Sequence, residues 1–313
     1  MVHGYWIWTF LNLIILIGYL FFLQKNLPGN GTTVNYLNLL ILMLISYPVL
    51  SNIITGQVEV FLVVFAGEFI RNAVSKKPIL SGIWLGGLLL KPQLLILIIP
   101  IFLIMRNWKV LFGFIVSSGI ILMTSLFLSG FAGMKALINL WTKYSVGMAS
   151  NFLEGMINWR MVGVNVNTLM NTSLGWVITG LGMVLTIVAV YFLIKKRPPF
   201  GSPPWIMAML GVFSATLAIT WHSHYHMAMV LIPFLIYASL YKLLPEKIIF
   251  LWGIVTPVAL FCMLIIDVLV LVLTKINITN YNGMVIAFSG FILNLVIFIS
   301  AMQFTNNRNL KQY

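Results

Sequence analysis

Polar side chains are scarce in this chain, and those with useful chemistry gather in a few places. Three of its four histidines, His222, His224 and His226, fall within five residues in the run Trp-His-Ser-His-Tyr-His. Imidazoles suit hydrogen bonding to a polar substrate, or proton transfer near neutral pH. Metal binding is poorly served. The spacing aligns all three rings only on an extended segment, and on a helix only His222 and His226 share a face. No cysteine is near, and the nearest carboxylate is Glu246, so neither a structural zinc nor any other cofactor is indicated. The remaining polar groups are Gln57 and Glu59, Lys91 and Gln93, then Glu154, Asn158, Arg160, Asn165 and Asn167, and finally Asp267. Carboxylates inside a membrane segment are expensive to keep, and so mark function by default.

The elements that must position these groups are membrane helices. The chain has 313 residues, 61% hydrophobic and 7% charged, with a mean hydropathy of +1.05. Soluble domains carry about 25% charged residues, which excludes an ordinary water-soluble protein. The single cysteine, Cys262, excludes an internal disulfide. The apolar runs give an all-α, polytopic transmembrane bundle of about eleven spans, some short or broken. They cover 5–23, 35–53, 57–73, 79–91, 93–105, 109–129, 172–194, 203–220, 226–241, 248–272 and 282–303. The whole of 1–313 forms one integral membrane domain. Residues 130–171 make a long outer loop whose amphipathic patches predict helices lying on the membrane surface.

Charge orients the bundle. Eighteen Lys and Arg against five Asp and Glu give +13, which reflects cytoplasmic loops and lipid headgroups rather than nucleic acid. With the N-terminus outside and a break at Lys91-Pro92, the inner loops hold most of the cations, including Lys76, Lys77, Arg106, Lys109 and Lys195-Lys196-Arg197. Merging 79–105 into one helix spoils that bias. The first apolar run has no basic region before it and no small-residue cleavage site after it, and reads as a retained span. Under this topology the polar residues named above share the outer face, as an outward-facing polar cavity.

Plainer uses exist for each of them. Gly56-Gln57 can cap a helix, Lys91 can snorkel to headgroups, Trp159 and Arg160 can anchor at the interface, and Asp267 can be a hydrogen-bonded buried acid. No nucleotide-binding loop, nucleophile elbow, zinc-protease helix or paired CxxC is present, so soluble-enzyme and ATPase readings lack support. Few intramembrane acids and no evident repeat weaken an ion-coupled transporter.

Residues 56–109, GQVEVFLVVFAGEFIRNAVSKKPILSGIWLGGLLLKPQLLILIIPIFLIMRNWK, resemble the central signature of glycosyltransferase family 87. The signature is a Gly-Gln pair, a helix, a basic inner loop, a glycine-rich helix ending in Lys-Pro, and a basic turn around Trp. Asn158-Trp159-Arg160 and the Trp221–His226 run fit it as well, and the resemblance covers about residues 6–240. It implies a GT-C-like membrane enzyme that moves a hexose, typically mannose, from a polyprenyl-phosphate donor to a lipid or glycan acceptor. The reaction is expected on the extracytoplasmic face of the plasma membrane. The resemblance assigns Lys91, with Arg160, to the leaving phosphate, and the histidines to sugar hydroxyls or phosphate. Gln57, Gln93 and Asn158 complete the expected binding set.

Members of this type are expected to carry a catalytic aspartate in a first large outer loop, which this chain lacks. The expectation is therefore an N-terminally shortened chain, with Glu154 as the best internal base and Glu59 next. Two other classes compete: a non-catalytic lipid-carrier binder or flippase using the same cavity, and a small-solute transporter. A transferase predicts a carboxylate converging on Lys91 and the histidines, whereas a transporter predicts polar residues on both faces.

Overall fold

The computed structural model describes residues 2–27, 36–145, 156–274 and 279–307. It is 86% helical. Among the described residues there is no strand, only one antiparallel bridge between Met156 and His224. Hydrocarbon offers the backbone no hydrogen-bond partners, so segments this apolar satisfy their own N–H and C=O groups as helices.

In order the α-helices are α1 (Val2–Asn26), α2 (Tyr36–Ile45), α3 (Tyr47–Thr55), α4 (Glu59–Val74), α5 (Pro78–Gly86), α6 (Ile98–Ile104), α7 (Trp108–Ser145), α8 (Trp159–Met170), α9 (Leu174–Ile194), α10 (Pro203–Ile219), α11 (Ile232–Leu240), α12 (Glu246–Thr274) and α13 (Thr279–Asn307). Five of them are long and apolar enough to cross a membrane by themselves. Helices α2 and α3 form a sixth such segment bent by 51° at Ser46-Tyr47-Pro48, where the proline occupies the first turn of α3. The polytopic helical bundle expected from the sequence is the fold observed.

The break at Lys91-Pro92 is real. Two 3-10 turns, Gly87–Leu90 and Pro92–Leu95, flank Lys91, whose φ of −135° and ψ of 77° are extended. Proline disfavours helical geometry in the residue before it and cannot donate to the preceding turn. One boundary differs from the sequence reading. Helix α7 does not stop at residue 129 but continues to Ser145, through a kink at Gly130 with φ 64° and ψ 179°. Glycine tolerates that left-handed angle without a Cβ penalty, so the chain bends and resumes a helix instead of ending it.

Helix α10 is buried on every side and forms the axis of the bundle. Its Trp205 and Phe213 pack edge-to-face, tilted or stacked against Phe69, Phe102 and Phe234. Outside water, such helices are held mainly by close packing. Helices α5 and α7 approach at Gly82, where an added Cβ would collide with the backbone carbonyl of Val110.

The loops sort to two ends. One carries Lys76, Arg106, Lys109, Lys195, Lys196 and Lys242, and here Lys76 Nζ donates to the Phe200 carbonyl at 2.5 Å. Lys76, Arg106 and Lys242 adopt left-handed φ angles of 57°, 57° and 52°, the geometry that closes a helix C-terminus. The other end gathers the Gly56-Gln57 turn, Lys91 and the histidine turn.

Candidate active site

Three backbone devices build the site. First, α3 ends at Gly56 with φ 63°, and its N–H returns to Asn52 and Ile53. Helix α1 pins this turn: Tyr5 Oη donates to Ile53 O at 2.5 Å and Trp8 Nε1 to Gly56 O at 3.0 Å. A Cβ on residue 56 would come within 3.3 Å of the Tyr5 ring, and the left-handed φ favours glycine in any case. Asn52 Oδ1 then accepts from the N–H of Glu59 at 3.3 Å, setting the start of α4. Gln57 and Glu59 therefore leave the turn in a fixed geometry.

Second, the Lys91-Pro92 break frees the Lys91 side chain from a helical register. Its Nζ lies 3.2 Å from Glu59 Oε1 and donates to Gln57 Oε1 at 3.2 Å. Third, the segment between α10 and α11 carries the histidines, with His226 in a 3-10 helix, Tyr225–Leu231. His226 Nε2 stands 3.4 Å from the same Glu59 oxygen. His224 stacks on His226 with ring centroids 5.6 Å apart and an interplanar angle of 22°.

Glu59 is thus the hub. It is 0% exposed, and neither of its carboxylate oxygens has a well-aligned hydrogen-bond partner. A carboxylate so deep is tolerated because an ammonium and an imidazole stand over it. Lys91, with its side chain 21% exposed, and His226 reach past it to a cavity of about 500 Å³, which Tyr47, Gln57 and His224 also line. Burial, then the charges of His222 and Lys91, push the His224 pKa down to about 4. His224 is therefore neutral at physiological pH and can donate or accept a hydrogen bond.

The other expected site residues are placed differently from one another. Gln93 flanks the cluster, its Nε2 3.8 Å from Met227 Sδ, while its backbone carbonyl accepts from Thr220 Oγ1 at 3.4 Å. Asn158 and Arg160 brace the histidine turn from behind. Asn158 caps α8 by accepting from Met161 N at 2.9 Å, and its amide donates to Thr220 O at 2.8 Å and Trp221 O at 3.3 Å. Arg160 donates to Trp221 O at 3.4 Å and lies over the Trp221 ring at 4.2 Å. Ile157 N completes the brace by donating to Ser223 O at 2.8 Å. His222 is half-buried beside His224. Glu154 lies outside the described residues. Asp267, on α12, is buried away from the cluster.

Sequence reasoning missed Asn52, Tyr47 and Tyr225. Tyr225 packs edge-on against Tyr47 with centroids 4.5 Å apart and hydrogen-bonds Thr256 at 2.5 Å. Its place between two flagged histidines was the one available signal. Among the described residues, no three of His, Cys, Asp and Glu group as a metal would require.

The profile of glycosyltransferase family 87 matches residues 1–220. The chain belongs to this family. The match covers Gln57, Glu59, Lys91, Gln93, Asn158 and Arg160 and stops just before the histidine turn. It is therefore the fold that joins the histidines to the family 87 segment. Family membership makes the chain a glycosyltransferase acting on a sugar donor and an acceptor, and its apolar helices make it a membrane protein. Neither the curated proteins nor the solved structures yielded a match.

Proposed function

We propose that the chain transfers a hexose, most simply mannose, from a polyprenyl-phosphate donor to a lipid or glycan acceptor. The reaction takes place at the end of the bundle opposite the basic loops, on the extracytoplasmic face of the plasma membrane. The observation that carries the reading is that Lys91 and His226 share one cavity wall, both held from beneath by the buried Glu59. A leaving phosphate needs a fixed cation, and Lys91 is one that Glu59 and Gln57 hold in place.

In this reading the acceptor hydroxyl attacks the anomeric carbon. The bond from that carbon to the phosphate oxygen breaks, its electron pair leaving with the lipid phosphate. The hydroxyl proton passes to the ring nitrogen of His226 that does not face Glu59. Glu59, buried beneath, orients the imidazole and stabilises the imidazolium that forms, the division of labour of a carboxylate–histidine pair. Glu59 is then a positioning residue and His226 the base. Gln57, Gln93 and His224 offer hydrogen bonds to sugar hydroxyls or phosphate. Asn158 and Arg160 keep the histidine turn in register, and His222 closes its outer side.

A second reading is a non-catalytic binder of the lipid carrier. It is favoured by the complete burial of Glu59, which leaves no described carboxylate lining the cavity. One experiment separates the two. The purified chain is given radiolabelled polyprenyl-phosphate-mannose and a membrane lipid extract, with Lys91→Met and His226→Gln as comparisons. Transfer by the wild type that both variants lose supports the transferase. Donor binding without transfer supports the binder.

A further inference from the structure

The basic end of the bundle holds a second site of different chemistry. Three loops meet there, 74–78, 105–110 and 195–202. Lys76 ties the first to the third through the Phe200 carbonyl. A Cβ on Gly201, with φ 65°, would collide with the Ala73 carbonyl, so the loops touch along their backbones. Between them lies a cavity of about 370 Å³ whose floor is Pro78, Val110 and Phe200.

Its rim is cationic. Arg106 closes α6 at a φ of 57°, with its N–H bonded to Leu103 O at 3.1 Å and that of Asn107 to Phe102 O at 3.0 Å. The chain turns at once into α7, with Val110 N and Leu111 N donating to Asn107 O. This tight connection sets Arg106 and Lys109 on the same pocket, both exposed. Neither has an ion-pair partner among the described residues, and no acid lines the pocket. The Asn107 amide nitrogen is buried without a hydrogen-bond partner. Two free cations and an unused amide donor suit an anionic oxygen group, a phosphate above all.

The surroundings say where the phosphate comes from. Trp108, 61% exposed, stands at the rim, as tryptophans do at headgroup level. Exposed Ile79, Leu80 and Ile83 on α5, with Leu103 and Ile104 on α6, continue the surface toward the hydrocarbon. A soluble phosphate has no use for such a wall, but acyl chains do. The other basic groove, near Lys195 and Lys196, is less free: Lys196 Nζ is taken by the carbonyl of Asn306 at 3.1 Å.

We propose that the pocket of Arg106, Asn107, Trp108 and Lys109 binds the headgroup of an anionic phospholipid from the leaflet facing the basic end. The lipid tethers the α6–α7 turn and, through it, the helix pair that ends in Lys91. The site stands independently of the transferase reading.

The test uses the full chain in nanodiscs of equal phosphatidylglycerol and phosphatidylcholine, with retained lipid counted by native mass spectrometry. The wild type is expected to keep one phosphatidylglycerol per chain. R106Q/K109Q is expected to weaken retention about thirtyfold, at about fivefold per lost charge near a headgroup. Asn107→Asp guards against misfolding, because aspartate matches asparagine in shape and is favourable just before a helix while repelling a phosphate. It should fold normally and lose the lipid. K195Q/K196Q, which removes the same charge elsewhere, should keep it. An equal loss in that control overturns the proposal, as does retention in R106Q/K109Q. Displacement by millimolar inorganic phosphate overturns the lipid assignment.

Discussion

Glu59 and Lys91 lie 3.2 Å apart, and one variant cycle tests whether that pair organises the site. At an effective dielectric of about 20, unit charges at this distance attract by about 5 kcal/mol. Desolvating a carboxylate that is 0% exposed offsets much of this, so the net worth is smaller than the cost of breaking the pair. Lys91→Met leaves Glu59 buried without its cation, and Glu59→Gln leaves Lys91 facing His226 with nothing between. Each is expected to destabilise the folded chain by about 2–3 kcal/mol in reversible unfolding in mixed micelles, below the usual 3–5 because Lys91 reaches solvent. The double variant carries no charge at all and should recover about 2 kcal/mol relative to the sum of the singles. Turnover tells a different story. All three variants should lose it by about 100-fold or more, because the cation that meets the leaving group is gone or misdirected. Additive destabilisation would show that the pair does not form. Full activity in Lys91→Met would remove Lys91 from the chemistry.

Other perturbations give distinct outcomes. Asn158→Ala removes the α8 cap and leaves the Thr220 and Trp221 carbonyls short of a donor, which should cost about 1–3 kcal/mol and loosen the histidine turn. Donor affinity should fall with it, while Asn158→Asp keeps the cap and separates the two effects. The His224 pKa is about 4 when folded against 6.5 when free, so between those values the unfolded chain binds more protons. Stability from this group is present above about pH 6.5 and is lost as pH falls toward 4, by about 3 kcal/mol. His224→Gln should flatten that part of the unfolding curve, and an unchanged slope would show that His224 is not buried. Gly82→Val forces α5 away from α7 and should destabilise by about 1–3 kcal/mol, read as a lower melting temperature without loss of helical circular dichroism at 20 °C or so.

Much of this arrangement was legible in the residues themselves. Lys91-Pro92 had to interrupt a helix, because proline removes a donor and restricts its neighbour. The left-handed Gly56 and the apolar runs fixed the turns and the spans in the same local way. The span ending at 129 fell short for an equally local reason, since a glycine at 130 permits a kink as readily as an end, and residues 131–145 still form a helix. What stayed hidden depends on how helices meet. Which carboxylate faces Lys91 is decided by the rotation of α4 about its axis, set by Asn52 and by α1 far away in sequence. Asn158 and Arg160 stood out because they are polar in an apolar chain, but their role in bracing the histidine turn did not. Their partners in that brace are backbone carbonyls more than sixty residues on, which no local pattern announces.

The most direct measurement is single-turnover transfer from polyprenyl-phosphate-mannose across the pH range, comparing the wild type with His226→Gln, Glu59→Gln and His226→Gln/Glu59→Gln. The account predicts that His226→Gln abolishes the base-dependent step while donor binding persists, and that Glu59→Gln costs much less on top of His226→Gln than it does alone, because only its effect through Lys91 is then left to lose. Transfer that survives the loss of His226 but is lost in Glu59→Gln alone would contradict it, and would make the buried carboxylate itself the base.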